Sequence, residues 1–231
     1  MTIKLYELAA KEDDRRFSPY CWRIRMALAH KGLEVETIPW RFAEKEVIAF
    51  SGSTTVPVMI DGARTVTDSW AIAQYLDDAY PDRPALFEGA QALSLAFFFK
   101  HWCERTVHGP VLRAVMMDLY NNLDERDKGY FRASREKRFG KTLEEFGADR
   151  DGAITALRSA LDPLRPVFSA RPFVSGNIPG FADYILFGAF QWPRVMSPVK
   201  LLQSDDPVYA WRERMFDLYG GLARKVRAFP V

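Results

Sequence analysis

Hydrophobic and polar residues follow two different periods along the chain, and the change falls at the proline-containing segment Pro81–Gly89. Before it, short apolar runs typical of strands alternate with helical spacing. A strand is predicted over Ile3–Leu8, a helix over Pro19–Lys31 and a second strand over Leu33–Ile38, with Pro39 expected to end its pairing. Because a helix joins these two strands, they are predicted to lie parallel, with a right-handed crossover.

The first helix has clear start and stop signals. Ser18 is a favoured N-cap, Pro19 suits the first helical position and Gly32 is suited to a left-handed C-terminal residue. Apolar residues then share one helical face: Tyr20, Ile24, Ala27 and Leu28.

A hairpin and a helix complete this part of the chain. Val58–Ile60 and Arg64–Thr67 flank Asp61-Gly62, a dipeptide typical of tight hairpin turns. A helix is predicted over Ser69–Tyr80, and the prolines that follow end it. The hairpin adds antiparallel strands to the sheet.

After the proline-containing segment, strand patterns nearly vanish. We therefore predict an α/β domain over residues 1–82 and an all-helical domain over residues 90–231. The predicted helices of the second domain are Ala90–Asn121, Lys128–Phe146, Gly152–Phe168, Phe181–Trp192 and Pro207–Gly220.

Composition narrows the class of protein. Of 231 residues, 48% are hydrophobic, which is enough for a core, and the net charge of +2 gives no general attraction to nucleic acid or anionic membranes. The longest apolar runs, such as Leu95–Phe99, are too short to cross a bilayer, and the amino terminus does not resemble a secretory signal. Cys21 and Cys103 cannot form a disulfide framework and suit a reducing compartment. A cytoplasmic protein is expected.

Three short motifs carry the candidate chemistry. They are Ser18-Pro19-Tyr20-Cys21 at the first helix, Val56-Pro57 before the hairpin and Asp68-Ser69 at the start of the next helix. Each alone is a common helix start, turn or cap. Their order and spacing, taken together, are much more specific.

In these motifs the chain resembles the glutathione transferases, which join a thioredoxin-like domain to an all-helical one. The resemblance implies glutathione as co-substrate and a catalytic role for Ser18, whose hydroxyl would face the glutathione sulfur. It further implies a cis Val56–Pro57 bond beside the cysteinyl backbone, and Asp68 with Ser69 at the γ-glutamyl end. It also implies a homodimer, with which the aromatic content of 14% agrees.

Two further segments support this resemblance. Residues 177–184, NIPGFADY, are similar to the family's buried capping segment, although Gly180 stands where a hydroxyl or amide cap is usual and Asp183 alone can accept a backbone N–H. More narrowly, SPYCWRIRMALAHKG, DSWAIAQYLDDAYPDRPALFEG and FDLYGGL resemble serine-type bacterial β-aryl etherases and their fungal relatives. That likeness implies attack on an aromatic electrophile, with aryl ether cleavage as one reaction.

Other parts of the site are less specified. The glycyl carboxylate of glutathione has Thr55, Arg41 and Lys45 as candidates, with Thr55 favoured by position. Candidates to line an apolar electrophile pocket between the domains are Tyr20, Trp40, Trp102, His108, Met116, Tyr120 and Trp192, each of which helical spacing also explains as core.

The remaining chemistry-bearing residues are interpreted structurally. Cys21 is interpreted as a core residue, the histidines lack metal-ligand spacing so no metal is expected, and Tyr6 is interpreted as packing. The basic run between Arg132 and Lys141 is interpreted as a solvated helix face. Two alternatives to a transferase stay open: a non-catalytic binding protein of the same fold, and a thiol reductase that attacks through Cys21.

Overall fold

A four-stranded mixed sheet forms the amino-terminal part of the protein in the computed structural model, which describes residues 2–230. The spatial order is β2-β1-β3-β4; β1 pairs with β2 in parallel and with β3 antiparallel, and β3 pairs antiparallel with β4. The strands are β1 (Ile3–Leu8), β2 (Val35–Trp40), β3 (Val58–Asp61) and β4 (Arg64–Thr67). The predicted parallel pair and hairpin are confirmed.

Strand β2 corrects one prediction. Pro39 lies inside the strand, opposite Glu7 of β1, and pairing continues to Trp40. Because β2 is an edge strand, the missing N–H of Pro39 can face away from β1 without breaking the ladder. Pro39 was wrongly expected to end the strand.

Two helices pack on this sheet, α1 (Pro19–His30) and α2 (Ser69–Ala79). Their apolar faces bury residues such as Ile24 and Ile72, which are fully inaccessible to solvent. The segment between β2 and β3 contains the 3₁₀ helix Lys45–Ser51.

The rest of the chain is helical, and the expected combination of an α/β part and an all-helical part is confirmed. The π-helical segment Cys103–Val107 joins α3 to α4, so both lie within the predicted helix Ala90–Asn121. The helices are α3 (Gly89–Trp102), α4 (His108–Asn121), α5 (Glu125–Phe139), α6 (Leu143–Phe146), α7 (Arg150–Ala160), α8 (Arg165–Ala170), α9 (Phe181–Met196) and α10 (Pro207–Gly221).

Two predicted helices are interrupted. Gly140, at a φ of 65°, ends α5, and Thr142 and Glu145 form a capping box that begins α6. The predicted helix Gly152–Phe168 is broken by the 3₁₀ turn Asp162–Leu164, which contains a proline. Both breaks change the direction of the chain.

The carboxyl-terminal helix also departs from the prediction. Leu218, Tyr219 and Gly220 are not helical, and Tyr219 has a φ of 53°. The Tyr219 hydroxyl lies 3.2 Å from Nδ1 of His30 on α1 and also contacts the Tyr184 hydroxyl on α9. This bend therefore links the end of the chain to both parts of the protein.

Direct packing of α1 on α9 sets the relative position of the two parts. At Gly188 of α9, a Cβ would lie 2.3 Å from the backbone oxygen of Pro19, so only glycine permits this approach. The linker is held as well, because the Asp77 carboxylate accepts the Leu86 N–H at 2.9 Å and forms a 2.7 Å ion pair with buried Lys31. The space between the two parts is consequently defined by close contacts.

Candidate active site

A cleft of about 810 Å³ lies between the sheet-containing part and the helical part. One wall comes from loops at the ends of the strands and from the first turns of α1 and α2. Its residues are Leu8, Phe17, Ser18, Pro19, Tyr20, Trp40, Phe42, Ser53, Thr55, Val56, Pro57, Thr67, Asp68 and Ser69. The helical wall consists of Lys100, Glu104, Arg105, His108, Gly109, Leu112, Leu119, Phe131, Arg135, Arg138, Phe139, Phe146 and Trp192.

Ser18 lies in the cleft as the N-cap of α1. Its Oγ accepts the Cys21 N–H at 3.3 Å, and the residue is only 4% exposed. Accepting that bond uses an oxygen lone pair and leaves the hydroxyl hydrogen free to donate. Ser18 can therefore cap the helix and, at the same time, donate a hydrogen bond into the cleft.

Val56 and Pro57 line the same wall of the cleft as Ser18. Their peptide bond is cis, as expected. Val56 precedes the first residue of β3 and forms no ladder pair among residues 2–230, so its backbone lies at the sheet margin. The exposed Thr55 also lines the cleft, and its backbone bonds Ser53 Oγ.

Asp68 and Ser69 form the start of α2, with a detail that the sequence did not reveal. Asp68 Oδ1 accepts the N–H groups of Trp70 and Ala71 at 2.9 and 3.1 Å. Two N–H groups at this helix start are thus already bonded and are not free to bind a ligand carboxylate. The N–H and hydroxyl of buried Ser69 remain as donors beside the Asp68 carboxylate.

Only one of the three candidates for a glycyl carboxylate lines the cleft. Arg41 is 7% exposed and bonds the Ala10 carbonyl at 3.0 Å and Asp13 at 2.6 Å, so its guanidinium is structural. Lys45 lies 4.7 Å from the Tyr130 ring centroid, outside the cleft lining. Thr55 remains.

The electrophile-pocket prediction is partly correct. Tyr20, Trp40, His108 and Trp192 line the cleft, and the His108 ring lies 5.8 Å from Tyr20 and 6.1 Å from Trp192 between centroids. Burial, together with the nearby Arg23 charge, lowers the pKa of His108 to about 3, so its imidazole is neutral. Three predicted residues are not in the lining: Trp102, Met116 and Tyr120.

Arg135 and Arg138 correct the interpretation of the basic run. Both line the cleft rather than a fully solvated face. Arg132, by contrast, pairs with Glu136 and Glu144, as a surface residue does. The spacing of Phe131, Arg135 and Phe139 at i, i+4 and i+8 was the available signal for a shared face.

A largely buried ion pair at the edge of the cleft joins the two walls. Arg23 of α1, which is fully buried, bonds Glu104 of the π-helical segment at 2.7 Å, and Glu104 also pairs with Lys100 at 3.1 Å. A π-helical insertion rotates the side chains that follow it. The π-helical segment directly precedes His108, so it helps to set the direction in which the His108 side chain meets the cleft.

The cysteines are free and buried, and burial raises the pKa of both Cys21 and Cys103 to about 12. Each thiol is therefore protonated at neutral pH. Within residues 2–230, no group of three or more His, Cys, Asp or Glu side chains is arranged to hold a metal ion. In the same range, no helix is long and apolar enough to cross a membrane.

Comparison with known proteins identifies the class. The family model "Glutathione S-transferase, N-terminal domain" matches residues 17–79, and "Glutathione S-transferase, C-terminal domain" matches residues 94–211. The chain belongs to the glutathione S-transferase family. Its similarity extends to a probable glutathione S-transferase of Oryza sativa subsp. indica, 31% identical over 214 residues, which are 83% of this chain and 88% of that protein.

Two fungal structures share the fold. A glutathione S-transferase of Ceriporiopsis subvermispora, solved in complex with glutathione, superposes with a TM-score of 0.85 at 23% identity, covering 95% of this chain and 98% of the other. Glutathione transferase GSTFuA3 from Phanerochaete chrysosporium gives 0.78 at 28% identity, covering 97% and 94%. These proteins carry the general transferase name, so the etherase resemblance stays a prediction.

Proposed function

We propose that the protein is a glutathione-dependent transferase in which Ser18 activates the glutathione sulfur for attack on an aromatic electrophile. One observation carries the proposal: the Ser18 hydroxyl, the Val56 backbone and the Asp68-Ser69 pair lie on a single wall of one cleft. The glutathione bound to the Ceriporiopsis relative supports the choice of co-substrate.

Activation of the thiol follows from the groups at the start of α1. A free thiol of pKa about 8.5 is only ~3% thiolate at pH 7. A hydrogen bond from Ser18 to the charged sulfur contributes about 1.5–3 kcal/mol. The positive end of α1 adds about 0.3–1 kcal/mol. Together they lower the thiol pKa by about 1–3 units, which makes the bound thiolate abundant at neutral pH.

The remaining groups on this wall hold the tripeptide. The γ-glutamyl carboxylate accepts from the Ser69 N–H and hydroxyl, while Asp68 faces the ammonium group. The Val56 backbone pairs with the cysteinyl unit as an added strand does, and Thr55 bonds the glycyl carboxylate.

The electrophile occupies the space against the helical wall. His108 and Trp192 supply aromatic surface on that wall, and Tyr20 of α1 contacts the His108 ring from the opposite side. An aromatic ring packs well against such surfaces, which favours an aromatic substrate. Aryl ether cleavage is one reaction of this class: the thiolate attacks the carbon bearing the ether oxygen, the C–S bond forms, and the C–O bond breaks to release a phenolate.

Steady-state turnover with glutathione and a panel of halonitrobenzenes, β-aryl ethers and hydroperoxides tests the proposal. Ser18→Ala should lower kcat/KM by about 10- to 100-fold, since it removes the hydrogen bond to the charged sulfur. Ser69→Ala is the matched control and should chiefly raise the KM for glutathione. Full activity in Ser18→Ala would reject the serine mechanism. No turnover with any substrate would favour the non-catalytic binding alternative.

Cys21 supports the same conclusion by elimination. Its thiol lies one turn inside α1, is buried and is protonated at neutral pH, so it is unsuited to attack a disulfide. Disulfide reduction that disappears in Cys21→Ala would revive the reductase alternative. Two free cysteines also agree with our proposal of a cytoplasmic location.

We also propose a homodimer, supported by an exposed apolar face on α3. Leu95 is 69% exposed and Phe98 is 70% exposed. Exposed apolar patches of this kind are common at protein interfaces. Sedimentation at micromolar concentration should show a dimer, and Phe98→Glu should shift it toward monomer. A monomeric wild type would reject the proposal.

A further inference from the structure

Arg135 on α5 has no carboxylate partner within residues 2–230, in contrast to Arg132 on the same helix. Its one side-chain hydrogen bond, to the Ser134 hydroxyl, is 2.9 Å long. Arg132, one turn earlier on α5, bonds both Glu136 and Glu144 at 2.9 Å or less. Glu136 and Glu144 are thus engaged by Arg132.

Two aromatic rings hold the Arg135 guanidinium in place. Its central carbon lies 4.5 Å from the Phe131 ring centroid and 5.1 Å from that of Phe42. Desolvation by these surroundings lowers the pKa of Arg135, in agreement with the absence of a carboxylate partner within residues 2–230. An arginine held against aromatic rings is well placed to bind a planar anion.

The rest of the helical wall adds to this positive charge. Arg105, Arg135 and Arg138 line the cleft without a carboxylate partner among residues 2–230. Glu104 is the acidic residue of this wall, and both Arg23 and Lys100 engage it. A charged region bounded by aromatic surface favours a ligand that is both aromatic and anionic.

We propose that Arg135 is the counter-ion for a carboxylate-class anion on the aromatic electrophile. The inference rests on the proposed function in that the ligand is the substrate of the glutathione thiolate. Glutathione also carries carboxylates, but the groups assigned to it lie on the opposite wall, and α5 belongs to the helical wall with Phe131 and Phe139. Arg135 and the Phe131 ring beside it therefore belong to the side of the cleft that takes the second substrate, while Phe42 of the opposite wall packs against the guanidinium from across the cleft.

Binding of an unreactive pair of ligands tests this without turnover. Tryptophan fluorescence and calorimetry would measure the affinity of 3,5-dinitrobenzoate and of its neutral analogue 3,5-dinitrobenzamide. Wild type should bind the benzoate about 10- to 100-fold more tightly, the range expected for one charge-assisted hydrogen bond. Arg135→Met, which keeps packing between the rings, should abolish that preference, and Arg135→Lys should restore part of it.

Arg132→Met is the matched control on the same helix, because that arginine is already paired and does not line the cleft. It should leave the preference unchanged. Equal affinity of wild type for the two ligands would overturn the proposal. It would also be overturned if Arg135→Met weakened glutathione binding instead, since the anion would then be the tripeptide's own. Neither result depends on thiolate formation, which the Ser18 experiments measure separately.

Discussion

The two walls of the cleft are built in different ways. The wall of Ser18, Val56 and Asp68 uses short side chains and backbone groups, placed by an N-cap, a cis bond and a helix start. The opposite wall uses long side chains such as Arg135, positioned by contacts between distant segments. The first arrangement suits one invariant co-substrate. If the second binds the electrophile as we propose, a few side-chain changes there would alter the choice of electrophile while the fold is kept.

Separating the walls should have the largest effect. Gly188→Ala places a Cβ 2.3 Å from the Pro19 backbone oxygen, so α1 and α9 must move apart. We expect a loss of about 3 kcal/mol in the free energy of unfolding, the upper range for overpacking, and lower activity because Ser18 moves with α1. Urea denaturation followed by circular dichroism measures the stability.

Gly129→Ala is the control for that substitution. Gly129 lies inside α5, and an added Cβ there meets no atom within 4 Å. Alanine should therefore stabilise the protein by up to about 1 kcal/mol, because it has the higher helix propensity. If Gly188→Ala and Gly129→Ala had the same stability, the close approach of α1 and α9 at Gly188 would be contradicted.

The wall of Ser18, Val56 and Asp68 can be tested by removing one charge, that of the Asp68 carboxylate. Asp68→Asn keeps an oxygen that caps α2 and tolerates the φ of 72°, but it removes the negative charge. The KM for glutathione should rise about 10-fold, while the free energy of unfolding stays close to that of wild type. An unchanged KM would show that Asp68 is only a cap. A fall in stability without a change in KM would lead to the same conclusion.

The smallest expected effect concerns His108 on the helical wall, which should add no ionisation to the pH dependence of activity. His108, with a pKa of about 3, is neutral from pH 5 to 9. As pH falls, the thiolate is protonated, so kcat/KM should decline with a single ionisation. His108→Asn should leave the apparent pKa of that decline unchanged, whatever it does to KM. A second limb near pH 6.5 that vanishes in this variant would contradict the assignment.

The features that the sequence predicted correctly are those determined by residues close to one another in the chain. The start of α1, the β3–β4 hairpin, the cis Val56–Pro57 bond and the start of α2 all follow from signals within a few positions. The wall that we propose binds glutathione was therefore recognisable in outline. Even there, the bonds from Trp70 and Ala71 to Asp68 became visible only in the structure.

Features that depend on contacts between distant parts of the chain could not be predicted. Arg135 was interpreted as solvated because its aromatic partner Phe42 lies more than ninety residues earlier in the chain. Pro39 was expected to end a strand because its place at the sheet edge depends on strand order. The break at Gly140 turns the chain after α5, and a periodic pattern alone does not show where a glycine will be left-handed.

Ultraviolet titration of glutathione bound to the wild type and to Ser18→Ala tests the central claim most directly, because the thiolate absorbs and the thiol does not. In the wild type the bound thiol should titrate about 1–3 pH units below the free value of about 8.5. In Ser18→Ala the pKa of the bound thiol should return most of the way to the value of free glutathione. A wild-type complex that titrates like free glutathione, or a variant that titrates at the wild-type pH, would contradict the account.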